Sequence, residues 1–196
     1  MSSSEQILSQ LPGDLLGRLR TADKQWQSLR LASPTIPTII TESQEQLGAT
    51  DWDVVISGGT LGILIAAALQ RQGWRVALIE RGILRGREQE WNISRQELSV
   101  FLELELLTLA ELNQAIVSDY NPGRVSFFEG YELWVRDVLN VGVDPVFLLE
   151  TLKTKFLDAG GTLLEKTPFN SAIIHPDGVF INAGEQALKK IGRAHV

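Results

Sequence analysis

The chain has 196 residues, 44% of them hydrophobic and 21% charged, the make-up of a globular domain rather than of a disordered or membrane-spanning one. With no cysteine and two histidines, it excludes disulfides, thiolate zinc sites and a cysteine nucleophile, and it leaves little for any other metal. A formal net charge of −6 argues against nucleic acid as a partner, since phosphate binding favours basic surfaces.

The opening MSSSEQILSQ has neither the basic start nor the apolar core of a secretory signal, and no run reaches the roughly 20 apolar residues of a spanning helix. A cytoplasmic protein is expected. Ser4 can cap a short helix through Leu11, which Pro12-Gly13 interrupts. A second helix is predicted from about Asp14 to Leu31, where Leu15, Leu19, Ala22, Trp26 and Leu29 draw one apolar seam with Arg18, Lys24 and Arg30 off it. The seam is expected to be covered, by the rest of the protein or, as a basic amphipathic helix, by a membrane surface or a partner. Ala32 to Thr50 holds two prolines and many hydroxyl residues, and it reads as a connector outside the sheet, with one helical turn capped by Thr41 and Gln44 before Gly48. Residues 1–50 thus form a helical segment and linker.

The organising stretch is Asp53 to Glu80, DVVISGGTLGILIAAALQRQGWRVALIE. Val54 to Ile56 predict a buried strand, Ser57 to Gly62 a turn, Ile63 to Gln70 an apolar helix, and Val76 to Ile79 a second buried strand ending on Glu80. Counted from Ser57, the glycines fit G-x-G-x-x-G with serine in the first place, so Ser57 is expected to make the turn. Gly59 would let a pyrophosphate approach the backbone, and Gly62 would let the helix pack on the strand. The free N–H groups at the helix start would hold the anion. Glu80 would bind ribose hydroxyls, and its removal is expected to weaken the cofactor while leaving the fold intact.

Arg81 to Arg87 predict a flexible basic loop, whose arginines meet phosphate, meet the rim of a cofactor, or stay solvated. Ser94-Arg95-Gln96-Glu97 and Thr108-Leu109-Ala110-Glu111 are capping boxes that open two helices. Leu102 to Leu106 alternates like a strand, but the flanking caps favour helix, with the glutamates on a solvated face. Arg124 to Phe128 and Glu132 to Val138 are expected to pair in a small second sheet. Asp144-Pro145 marks another helix start, which runs to Gly160-Gly161. Thr162 to Glu165 should join the parallel sheet, followed by a hairpin of Ser171 to Ile174 and Val179 to Ile181 with His175 as a turn residue. The stretch GEQALKK looks helical. Ile191 to Val196, IGRAHV, matches the translation of a sequencing adapter, ATC GGA AGA GCA CAC GTC, so 183–196 is expected to be a truncated or artefactual tail in which His195 carries no function.

This order of elements resembles the FAD-binding domain of glutathione-reductase-type flavoproteins, with the lycopene-cyclase-like and p-hydroxybenzoate-hydroxylase-like branches as the nearest variants. More narrowly, SGGTLG, RGREQEWNIS and DVLNVGVDP resemble a group of FAD-dependent oxidoreductases from photosynthetic lineages. The resemblance covers about Asp51 to Asn182. It implies an α/β fold of the FAD/NAD(P)-binding Rossmann type, with a parallel sheet, a helical insert and a small β-meander. It further implies FAD as cofactor, with Gly58, Gly59, Thr60, Leu61 and Gly62 on the pyrophosphate, Glu80 on the adenosine ribose, Arg81 near the adenine, and Asn92 and Ser94 on the flavin side. The substrate would be a small molecule of unstated class, and the chain would be the N-terminal cofactor-binding part of an oxidoreductase. An NAD(P)-dependent dehydrogenase and a non-catalytic nucleotide-binding or interaction module are the rivals. A short-chain dehydrogenase would want tyrosine four residues before lysine, whereas Tyr120 is followed there by Arg124.

Overall fold

A computed structural model describes residues 3–31, 37–184 and 186–191, the last stretch as backbone alone. The chain divides after Thr38 into two units. The first contains helices α1 (Ser3–Ser9) and α2 (Leu15–Leu31). They are tied by an ion pair in which Arg20 of α2 donates to Glu5 of α1 at 2.8 Å. No residue of α2 is buried within this unit; Trp26 is 62% and Leu29 60% exposed. No described helix is long and apolar enough to cross a membrane.

The second unit begins with strand β1 (Ile40–Glu42), then β2 (Val54–Ser57), helix α3 (Gly59–Arg71) and β3 (Val76–Ile79). A long insert follows: β4 (Trp91–Ile93), α4 (Arg95–Glu103), α5 (Leu109–Ala115), β5 (Ile116–Asp119), β6 (Gly123–Ser126), β7 (Glu132–Val135) and β8 (Val141–Val143). Helix α6 (Pro145–Asp158) leads back to β9 (Thr162–Leu164), and β10 (Phe169–His175), β11 (Gly178–Ala183) and β12 (Gln186–Ile191) complete the order.

The centre is a three-stranded parallel sheet in the order β2-β3-β9, with Ile56 opposite Leu78 and Leu78 opposite Leu163. All of β3 is buried, as a strand covered on both faces must be. Val76 and Leu78 join the core built by Ile63, Ala66 and Ala67 of α3 with Leu149, Leu152 and Phe156 of α6. Ile79 belongs instead to a second cluster with Ala172, Ile181 and Ala183 of the hairpin. Small residues let α3 approach: a Cβ on Gly62 would stand 2.7 Å from Ile56 Cγ2 and 3.1 Å from Leu78 Cδ1. Gln70 fixes the far end of α3, donating to Ala159 O at 3.0 Å and accepting from Val76 N at 3.1 Å.

Both capping boxes form. Ser94 and Thr108 each accept from the N–H three residues on, while Glu97 and Glu111 reach back. Asp144 caps α6 through Val146 N and Phe147 N, with proline at the first helical position. The hairpin of β10 and β11 turns through Pro176 and Asp177, and His175, expected in the turn, is instead the last residue of β10, opposite Gly178, with its Nδ1 2.8 Å from Glu45 O. The pairing of β6 with β7 was expected.

Four expectations are corrected. The connector contributes to a sheet, since Ile40–Glu42 pairs in parallel with Ala172–Ile174, and Asp177 accepts from Leu47 N and Gly48 N where a helical turn was expected. The helix-like GEQALKK contains β12, antiparallel to β11, because the exposed edge of β11 offers a ladder that helix propensity cannot match. Residues 192–196, including His195, lie outside the described residues. Helix α4 stops at Glu103 and Glu105 takes φ 52°, so Leu106 turns inward to be buried while Glu105 pairs with Arg71. The insert also forms an antiparallel sheet in the order β4-β8-β5 that the sequence reading did not contain.

Candidate functional site

The end of β2, the start of α3 and the end of β3 meet at one edge of the parallel sheet. In-register pairing sets Ser57 opposite Ile79, so the turn after Ser57 stands beside Glu80. Gly58, not Ser57, makes the turn. Its φ is 99°, which a side chain disfavours, and its N–H donates to Ile79 O at 2.8 Å, while Ser57 remains the last residue of its strand. Nothing lies within 4 Å of where a Gly58 Cβ would be. The open approach to the backbone is therefore at Gly58. A Gly59 Cβ would stand 2.8 Å from Leu84 Cδ1 and 3.2 Å from Glu80 Oε2, so the bareness of Gly59 serves the protein's own packing.

Gly58, the residue before α3, has no side chain to cap it, in contrast to Ser94, Thr108 and Asp144 before α4, α5 and α6. The first N–H groups of a helix have no partner within it and carry the positive end of its dipole. The Gly59 N–H is taken internally, donating to Glu80 Oε2 at 2.7 Å. Thr60 and Leu61 are exposed, Leu61 at 65%. An anion would fit this exposed turn at the N–H groups past the one that Glu80 takes.

Glu80 is held in place before any ligand arrives. Its Oε1 accepts from Gly82 N at 2.8 Å, and with the Gly59 bond this keeps its carboxyl below the usual range, helped by the charge of Arg81. Burial and the charge of Glu165 oppose the shift without reversing it. Glu80 is thus ionised at neutral pH, with lone pairs left for hydroxyl donors. Because it also closes two backbone N–H groups, its removal should cost stability as well as an acceptor for a ligand. Arg81 is exposed beside it.

The loop after Glu80 is anchored, not flexible. Leu84 is 1% exposed within the core, and its N–H donates to Glu165 Oε1 at 3.0 Å. The same carboxylate accepts from Lys153 Nζ at 2.7 Å, the largest cause of its lowered pKa. Gly86 passes so close to α6 that a Cβ there would lie 2.2 Å from Pro145 O. The arginines behave differently: Arg85 pairs with Glu88, and Arg87 is exposed.

Of the two residues expected on the flavin side, Ser94 is committed to capping α4 and donates to Glu97 Oε2 at 2.7 Å. Asn92 is exposed on β4. Sequence reading missed Asn140. It is 2% exposed, and its Oδ1 has no hydrogen-bond partner, a state that costs about 1–3 kcal/mol unless water or a ligand reaches the atom. A polar residue between Leu139 and Val141 was the available signal. Among the described residues, no group of histidine or acidic side chains could hold a metal ion.

No protein-family model matches the chain, and no curated protein does. Solved structures do. The structure of the Diels-Alderase PyrE3, from the biosynthetic pathway of pyrroindomycins, is similar at TM-score 0.55 and 18% identity, over 70% of this chain and 30% of that one. OxyS anhydrotetracycline hydroxylase from Streptomyces rimosus is similar at TM-score 0.53 and 19% identity, over 74% and 30%. The halogenase PltM is similar at 0.52 and 15%, over 73% and 33%. The chain spans about a third of the length of these structures, and at such identities the likeness assigns the fold, a mixed α/β domain built on this βαβ unit.

Proposed function

We propose that this chain is the cofactor-binding part of a flavin-dependent oxidoreductase, and that the group it holds is FAD. The observation that carries the reading is the N-terminus of α3, which has no capping side chain at Gly58, lying beside an ionised Glu80 at the edge of a parallel sheet. The exposed N–H groups at Thr60 and Leu61 would bind pyrophosphate oxygens, with Gly58 giving the backbone clearance and Gly62 holding the helix against β2. Glu80 would accept from ribose hydroxyls, and Arg81 would lie by the adenine. When bound, the flavin ring supplies the redox chemistry, and the protein groups bind and orient it.

The choice of FAD over a nicotinamide rests on the long insert between β3 and α6 and on the hairpin after β9. Fold likeness to a hydroxylase and a halogenase supports the same class. The lycopene-cyclase-like or p-hydroxybenzoate-hydroxylase-like branch rests on the sequence resemblance. To test the reading, the purified chain is titrated with FAD, NAD and NADP by calorimetry, and any co-purified nucleotide is released by heat and identified. FAD binding that is weakened by Glu80→Ala is expected. Binding of NAD or NADP with none of FAD would end the flavin reading.

A further inference from the structure

The α1–α2 unit carries a surface that cofactor binding does not use. On α2, Leu15, Leu19, Ala22, Trp26 and Leu29 follow one another at steps of four, three, four and three. That is the repeat of a two-helix seam, narrower than the stripe of a helix lying on a sheet or in a lipid interface. None of the five is buried within the α1–α2 unit. Helix α1 ties to α2 off the stripe, its Glu5 pairing with Arg20, one residue past Leu19, and of the five seam residues Leu15 is half-buried while Leu19, Ala22, Trp26 and Leu29 are exposed.

The flanking charges choose the partner. Arg18 precedes Leu19 on one side of the seam, and Asp23 follows Ala22 on the other. In a parallel, in-register pair of such helices, the residue before a core position faces the residue five further along the other helix. Arg18 then meets Asp23 of the second copy, and by symmetry the contact occurs on both sides. An antiparallel pair matches like flank with like flank, which separates Arg18 from Asp23. Neither residue has an ion-pair partner among the described residues.

We propose that α2 is a self-association element, which joins two copies of the chain through a parallel two-stranded coiled coil. The seam is short, so the dimer is weak and reversible. Sedimentation equilibrium on the full chain is expected to show a monomer–dimer equilibrium with a midpoint on the order of 100 μM. Arg18→Asp and Asp23→Arg each replace two attractions with two repulsions, and each should weaken the dimer by about tenfold or more. The double variant should restore it. An equimolar mixture of the two single variants should also dimerise, since each then supplies what the other lacks. A chain that stays monomeric at several times that concentration, or a dimer indifferent to the charge swaps, overturns the proposal. FAD binding should be the same in all four proteins, which separates this outcome from that of the cofactor reading.

Discussion

Glu80 does two things that a sequence cannot distinguish. It would accept from the hydroxyls of the proposed ligand, and it already closes Gly59 and Gly82. Its folded pKa lies below its unfolded value, so its stabilisation is present above about pH 4.3, the unfolded value, and is lost as pH falls through the folded pKa. Glu80→Gln should therefore be less stable than the parent at neutral pH, and the two should converge as pH falls through the folded pKa of Glu80. Urea unfolding at several pH values measures this, and a gap that stays constant with pH would remove the linkage. Gly58 offers a sharper test. With φ 99°, Gly58→Ala should cost about 1–3 kcal/mol through backbone strain alone. Gly59→Ala should be destabilising for another reason, since its Cβ drives into Leu84, and in a crystal structure Leu84 should have moved.

At the scale of elements, local chemistry was legible and long-range pairing was not. Ser94, Thr108 and Asp144 state their helix starts within three or four residues, and each cap forms as spelled. Asp144→Ala should cost about 1 kcal/mol in thermal or chemical unfolding, and Asp144→Asn much less. The βαβ unit was legible because Val54 to Ile79 is short and strongly patterned. By contrast β1 pairs with β10 across more than half the chain, and nothing within Ile40–Glu42 names Ala172 as its neighbour. The sheet of β4, β8 and β5 was missed for the same reason, since three short strands far apart in sequence carry little period of their own. The turn residue was misassigned because the glycine pattern was counted from Ser57, while the geometry needed a positive φ one position later, at Gly58.

In the second unit, the distance between the glycine turn and Glu80 is set across the sheet rather than along the chain. Ser57 lies opposite Ile79, and that register is fixed by which faces of β3 are buried: Leu78 toward α3, Ile79 toward the hairpin. Length added between α3 and β3 should therefore leave the site alone. One extra glycine between Gly73 and Trp74 is expected to cost about 1 kcal/mol or less in urea unfolding. One extra residue between Leu78 and Ile79 would swap the faces of the strand end and carry Glu80 away from Gly59. Such a chain should lose nucleotide binding and most of its stability. The fold thus acts as a gauge block: it tolerates drift in the spacing between the glycine turn and the acid along the sequence, provided the drift falls outside the strands. A search for distant kin by fixed motif spacing would miss members that this sheet would still assemble correctly.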